Sequence, residues 1–155
     1  MSNNEGQISN GTPINTNEDK KFRLLIVDDS KLLRKKLREE LEKLGCEVIE
    51  AADGKEAIAL DLEQEPDGVI LDIVMPEVGG IEALQVMREV TPLVPIVMLS
   101  SAGTPQKLMQ TLKMGAIDFI QKPYNKEQIA RAVETMKRVR ARNLKKAAES
   151  TGETQ

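Results

Sequence analysis

GVILDIVMP, residues 68–76, is the most informative run of this sequence. It consists almost entirely of β-branched and aliphatic residues, which is typical of a strand buried on both faces in a parallel sheet. The run carries one acid, Asp72, near its end. Because a lone carboxylate is costly inside an apolar core, we expect Asp72 where the strand ends, within reach of cationic or metal partners.

Four further apolar runs alternate with segments of helical periodicity along the chain. With the central run, the predicted strands are Phe22–Val27, Cys46–Ala51, residues 68–76, Ile96–Ser101 and Asp118–Pro123. The predicted helices are Leu32–Leu44, Glu56–Glu65, Ile81–Arg88, Pro105–Met114 and a last one that opens on an Asn125/Gln128 capping box and could pass Lys137. Strands that alternate with helices in this way predict an α/β domain with a doubly wound, five-stranded parallel sheet.

Composition and charge limit the class of protein. The 155 residues, 40% hydrophobic and 30% charged, fit one soluble domain, for which we predict a disordered leader over 1–20, a folded domain over 21–138, and a basic helix extension with a polar tail over 139–155. The positive charge lies in that extension and not on the folded body, so we do not expect nucleic-acid binding. No stretch of the sequence is apolar over the length needed to span a membrane, so we expect no membrane partner. The single cysteine, Cys46, suits a cytoplasmic location. The sequence contains no histidine, which excludes Ser-His-Asp catalysis and histidine-ligated zinc.

Polar residues stand where the predicted strands end. Asp28 and Asp29 follow the first strand, Asp72 closes the third, Ser100 the fourth and Lys122 the fifth. In an open α/β sheet, ligands bind outside the carboxyl ends of the strands, so we expect these side chains to meet at one edge.

The chemistry of this set indicates a phosphoryl site. Three adjacent carboxylates repel one another, and Mg²⁺, which prefers carboxylate and carbonyl oxygens, would neutralise them. Lys122 adds a compact positive charge suited to a phosphate, and Ser100 adds a hydroxyl donor. A carboxylate such as Asp72 can accept a phosphoryl group when a metal and a lysine take up its charge.

Four motifs carry a family resemblance: VDDS at 27–30, LDIVMP at 71–76, LSSA at 99–102 and GAIDFIQKPY at 115–124. With these motifs in order, each at the end of its strand, the chain resembles the response-regulator receiver domain of two-component signalling, and in particular the single-domain, chemotaxis-type regulators. The resemblance implies a flavodoxin-like fold with strand order 2-1-3-4-5.

The resemblance also implies roles for the acids. Asp72 would be the phosphoacceptor. Asp28, Asp29, Asp72 and the backbone carbonyl of Val74 would hold Mg²⁺.

The same resemblance assigns the remaining site residues. Lys122 would pair with Asp72 at rest and with the phosphoryl group afterwards, and the Lys122–Pro123 peptide bond would be cis. Ser100 would turn toward the phosphate while Phe119 turns inward, so that the face near strand five changes shape. Gly79 stands where the family often has an acid, which weakens a helix cap and loosens the neighbouring loop.

The expected function is therefore a phosphorylation-dependent switch and not an enzyme. It would receive its phosphoryl group from a histidine kinase or a phosphotransfer protein, bind a downstream target protein, and be a monomer or a phosphorylation-dependent dimer. The alternative is a Mg²⁺-dependent phosphatase or phosphotransferase with an aspartyl-phosphate intermediate.

Overall fold

The computed structural model describes residues 20–75, 77–101 and 105–153. The predicted leader over 1–20 therefore lies outside the described residues, except for Lys20. The strands are β1 (Arg23–Val27), β2 (Glu47–Ala51), β3 (Gly68–Asp72), β4 (Ile96–Ser100) and β5 (Asp118–Gln121). The helices are α1 (Lys31–Lys43), α2 (Gly54–Gln64), α3 (Gly80–Val90), α4 (Pro105–Lys113) and α5 (Lys126–Glu153).

The five strands form one parallel sheet in the order β2-β1-β3-β4-β5. This confirms the predicted α/β class and the strand order that the family resemblance implied. Since β1 lies between β2 and β3, the order reverses at the carboxyl end of β1, where doubly wound sheets bind ligands.

The core is divided by the sheet into two clusters. Alternate strand residues such as Leu25, Leu71 and Met98 pack with α2, α3 and α4 on one face. Their neighbours, such as Ile26 and Ile70, pack with α1 and α5 on the other. Burial on both faces explains why residues 68–72 are apolar at nearly every position.

The ends of several elements differ from the sequence prediction. The Asp53 carboxylate accepts a hydrogen bond from the Glu56 amide, so α2 begins at Gly54 and not at Glu56. The strand predicted over 68–76 ends at Asp72. The capping box of Asn125 and Gln128 is present at the start of α5, as predicted. Glycines with positive φ, Gly45 at 85° and Gly115 at 112°, follow α1 and α4.

Helix α5 continues well beyond the predicted domain boundary at 138 and contacts the body there. Arg140 Nε lies 3.6 Å from Asp67 Oδ1, and Asn143 Nδ2 donates to the Leu93 carbonyl at 3.1 Å. The packed unit therefore extends at least to Asn143, because both contacts reach the amino-terminal edge of the sheet. Within the described part of the chain, no helix has the length and apolar character needed to cross a bilayer.

Candidate functional site

Three carboxylates meet at the carboxyl edge of the sheet. In the β1–β3 pairing Val27 is opposite Leu71, so Asp28 and Asp72 follow at neighbouring positions. Asp29 comes next on the β1–α1 turn, and each of the three residues offers a carboxylate oxygen within 4.8 Å of the others. The parallel pairing of β1 with β3 thus brings together the acids that the sequence predicted would converge.

Lys122 reaches this group from the far side of β4. Its amide donates to the Ser100 carbonyl at 2.7 Å, which fixes the chain just after β5. Its Nζ lies 2.9 Å from Asp28 Oδ2 and 3.0 Å from Asp72 Oδ2. The ammonium therefore bridges two buried carboxylates, which agrees with the predicted pairing of Lys122 with Asp72. The Lys122–Pro123 bond is cis, as the resemblance implied.

The second oxygen of each buried acid accepts a backbone hydrogen bond from two residues ahead. Asp28 Oδ1 accepts from the Ser30 amide at 2.9 Å, and Asp72 Oδ1 accepts from the Val74 amide at 3.3 Å. Both carboxylates are therefore held at two points in the turns after their strands. Val74 is fixed beside Asp72 by this bond, while the ligand role of its carbonyl stays a prediction.

Burial and charge determine how these groups titrate. Burial raises the pKa of Asp72, and the Asp28 charge acts in the same direction, whereas Lys122 acts to lower it. Burial would lower the pKa of Lys122, but its hydrogen bonds to Asp28 and Asp72 outweigh that effect and raise the pKa. Lys122 is therefore charged at neutral pH, and Asp72 holds its proton more readily than an exposed aspartate.

The donor set fits a hard divalent cation. One ammonium against three clustered carboxylates leaves negative charge uncompensated when all of them are ionised. Oxygen donors confined to a few ångströms, with Asp29 exposed to solvent on one side, match the preference of Mg²⁺ for a few carboxylates and several waters. These carboxylates are therefore suitable ligands for the predicted Mg²⁺.

The two predicted switch residues lie on neighbouring strands. Ser100 ends β4 and is buried, and its Oγ has no hydrogen-bond partner among the residues described. Phe119 lies on β5 with 36% of its surface exposed, opposite Met98 in the ladder. A hydroxyl without a partner and a half-exposed ring are both free to be drawn into new contacts, although their switching roles stay predictions.

The loop after Asp72 is held more closely than the sequence indicated. Gly80 donates its amide to the Ile73 carbonyl at 2.9 Å, and Gly79 donates to Glu82 Oε1 at 2.8 Å. A Cβ on Gly80 would lie 2.0 Å from the Asp72 carbonyl oxygen. The glycine at position 80 therefore permits close approach of α3 to the end of β3, and the expectation of a loosened loop was wrong for this part. Pro76 and Ala102, which belong to the sequence motifs, lie outside the described residues.

Gly80→Ala is expected to destabilise the protein by about 1–3 kcal/mol, because the added methyl group must push α3 away from the Asp72 carbonyl. Urea denaturation measures the loss. Gly79→Ala is the matched control, since its Cβ would meet only Glu82 Oε1 at 3.3 Å and the Ile73 carbonyl at 3.7 Å. Equal stability of the two variants would contradict the close-approach argument.

Sequence reasoning missed an arginine pair behind the acids. Arg34 Nη1 donates to the Asp28 carbonyl at 2.6 Å and Arg34 Nε to Glu50 Oε1 at 2.9 Å. Arg38 also bonds Glu50 and donates to the Val48 carbonyl at 3.1 Å. The signal in the sequence was Glu50, an acid near the end of a short strand that also begins with an acid, Glu47.

Comparisons with known proteins agree with this geometry. The family model described as the response regulator receiver domain matches residues 24–134. The chemotaxis protein CheY of Thermotoga maritima is 39% identical over 118 residues, which span 76% of this chain and 96% of that protein. CheY of Bacillus subtilis is 37% identical over 112 residues, spanning 72% of this chain and 93% of its own.

A solved structure extends the likeness to three dimensions. The chemotaxis protein CheY4 of Vibrio cholerae has a TM-score of 0.71 with this chain at 31% identity, covering 76% of this chain and 99% of that one. The matched family model, the relatives covered over nearly their whole length and the shared fold lead to one conclusion. The chain belongs to the receiver domain family of two-component response regulators.

Proposed function

We propose that this chain is a phosphorylation-dependent signalling switch in which Asp72 accepts a phosphoryl group, with Mg²⁺, from a histidine kinase or a phosphotransfer protein. The observation that carries the proposal is Lys122 Nζ between Asp28 and Asp72, at 2.9 and 3.0 Å, with the Asp29 carboxylate close by. That arrangement holds one nucleophile, one ammonium group and two further acids at the carboxyl ends of three strands of the sheet, β1, β3 and β5.

The transfer step follows from these contacts. An oxygen of the ionised Asp72 attacks phosphorus, and the new O–P bond forms as the P–N bond to the donor imidazole breaks. The other ring nitrogen of the donor takes a proton from solvent beforehand, so the imidazole leaves as a neutral group with the electron pair of the P–N bond. Asp28, Asp29, Asp72 and the Val74 carbonyl would hold Mg²⁺, which would supply charge neutralisation to the transferring group. Lys122 is already hydrogen-bonded to Asp72, so its ammonium can pass to a phosphoryl oxygen without crossing the site.

Residues on β4 and β5 would change conformation when Asp72 is phosphorylated. The Ser100 hydroxyl, buried and without a described partner, would donate to a phosphoryl oxygen. Phe119 would then turn into the space that Ser100 leaves. The phosphoryl group shifts the population only by the contacts that it gains in one state over the other. A downstream protein would bind the altered face near β5, in the cytoplasm, with the chain as a monomer or as a phosphorylation-dependent dimer.

The test is labelling by a small acyl phosphate in Mg²⁺ buffer, followed by intact mass. We expect the wild-type chain to gain one phosphoryl group, and Asp72→Asn to gain none. Chelation of Mg²⁺ should abolish labelling, and Asp118→Asn, at an exposed acid of β5, should label as the wild type does. Continuous hydrolysis of a phosphomonoester that survives Asp72→Asn would overturn the proposal and favour a phosphatase.

A further inference from the structure

Arg34 connects the acid pair to the neighbouring strand β2. It lies in the first turn of α1 with only 14% of its side chain exposed. One arm of its guanidinium donates to the Asp28 carbonyl at 2.6 Å, and Nε donates to Glu50 Oε1 at 2.9 Å. The planar guanidinium group of Arg34 thus links the backbone just after β1 to a carboxylate on β2.

The Asp28 carbonyl belongs to the peptide unit that links Asp28 to Asp29. Because that unit is planar, restraining its oxygen also restrains the two Cα atoms from which both side chains start. The other side of Asp28 is also held, since its amide donates to the Ala51 carbonyl at 3.2 Å. Arg34 therefore completes a two-sided attachment of Asp28 to β2.

Glu50 is in turn a firm anchor for Arg34. Arg38 Nη1 also donates to Glu50, and Arg38 Nη2 donates to the Val48 carbonyl at 3.1 Å. Burial works to raise the pKa of Glu50, but the hydrogen bonds from Arg38 and Arg34 outweigh it and lower the pKa. Glu50 stays ionised at neutral pH and holds the Arg34 fork in place.

We propose that Arg34 is a positioning residue for the divalent cation: by holding the peptide between Asp28 and Asp29 against Glu50, it sets the two carboxylates where the cation binds. The inference rests on the proposed function and adds to it a residue that touches neither the cation nor the phosphoryl group. The hydrogen bond by which Arg34 positions the site is the one to the backbone carbonyl of Asp28.

A positioning role and a purely electrostatic role predict opposite changes in Mg²⁺ affinity when Arg34 is replaced by a neutral residue. Arg34 is a cation close to the proposed cation site, so charge alone opposes Mg²⁺ binding, and removing it would tighten binding. If Arg34 positions the acids, its removal weakens binding in spite of that relief. Arg38 provides the matched control, because it shares Glu50 and carries the same charge but makes no hydrogen bond to Asp28.

The experiment is calorimetric titration of the full chain with Mg²⁺, alongside thermal denaturation without metal. We expect Arg34→Met to raise the Kd for Mg²⁺ roughly tenfold, as loss of an outer support of metal ligands commonly does. Arg38→Met should change the Kd much less, because Arg34 keeps its own hydrogen bonds to Glu50 and to the Asp28 carbonyl. Arg34→Lys keeps the charge but loses the two-point fork, so its Kd should lie between those of the wild type and Arg34→Met.

Two results would overturn the inference. One is an Arg34→Met chain that binds Mg²⁺ as tightly as Arg38→Met; the other, decisive even if Arg34→Met does not fold, is an Arg34→Lys Kd equal to that of the wild type. Failure of the wild-type chain itself to bind Mg²⁺ would instead refute the proposed function, and the inference with it. If the wild type binds Mg²⁺ and the Arg34 variants bind it with the same Kd, the inference is refuted and the proposed function is not.

Discussion

Replacing Asp72 by Asn is expected to abolish labelling and, in the absence of divalent cations, to raise the free energy of unfolding at neutral pH. Asp72 is 4% exposed, and burial raises its pKa above the ordinary value of 3.8. A carboxyl with a raised pKa binds its proton more tightly in the folded than in the unfolded chain. Its ionised form therefore opposes folding, and the neutral amide of Asn removes that cost.

The sign of the pH dependence follows from the same shift. Below the unfolded pKa, Asp72 is protonated in both states and has no net effect. As the pH rises from about 4, the unfolded chain ionises first, so the wild type loses stability relative to Asp72→Asn until the folded carboxyl has also ionised. Adding Mg²⁺ should stabilise the wild type more than the variant, because the cation binds the folded acid cluster.

Urea denaturation between acid and neutral pH, with and without Mg²⁺, measures this difference. Asp118→Asn is the control, since Asp118 is exposed and its substitution should change stability by less than about 0.5 kcal/mol. A metal-free Asp72→Asn chain that is less stable than the wild type at neutral pH would contradict the argument. It would mean that the ion pair with Lys122 outweighs the burial of the charge.

The arrangement of the acids could be predicted from sequence because it depends on few choices. Once the run at 68–76 is taken as a strand of a parallel sheet, its carboxyl end must lie beside those of its neighbours. The acids Asp28 and Asp72 then share an edge whatever the details of packing. Lys122 follows from the same rule, and its length lets it span the intervening strand.

Other features of the fold depend on distances between elements, which the spacing of apolar residues in the sequence does not reveal. Leu32 belongs to the apolar stripe of α1 in the sequence, yet it is 62% exposed because the helix turns Leu37 and Leu41 to the core. Gly79 indicated a loosened loop in the sequence. The close approach of Gly80 to the Asp72 carbonyl depends on the packing of α3 against β3, which the sequence does not show.

The contacts of long polar side chains also could not be predicted from the sequence. Arg34 stands beside Lys35 and Lys36, and nothing in their order tells which of them folds back onto β1. Arg140 and Asn143 fall in the basic helix extension, and its sequence does not show which of its side chains contact the folded body. Their contacts with Asp67 and Leu93 depend on how far α5 reaches past the sheet.

Replacing Lys122 by Met is expected to produce the largest loss of stability, about 3–5 kcal/mol at neutral pH without Mg²⁺, because it leaves two buried charges without their common partner. Asp28 and Asp72 are 3% and 4% exposed, and each gives one oxygen to Lys122 Nζ. Without the ammonium these carboxylates keep only their backbone hydrogen bonds and repel each other across the gap. Labelling should fall at least tenfold as well, since the phosphoryl group loses its fixed cation.

The double variant Lys122→Met/Asp72→Asn separates lost charge pairing from lost packing. Removing the Asp72 charge ends the repulsion but leaves the buried Asp28 charge without its cation, so the double variant should regain part of the stability that Lys122→Met loses, whereas a packing defect would persist in full. The loss in the single variant should also shrink as the pH falls toward about 4, because protonation of Asp72 has the same effect as the Asn. Urea denaturation of the four chains at two pH values completes the cycle. A double variant as unstable as Lys122→Met at neutral pH would show that Lys122 stabilises the edge by its contacts and not by its charge.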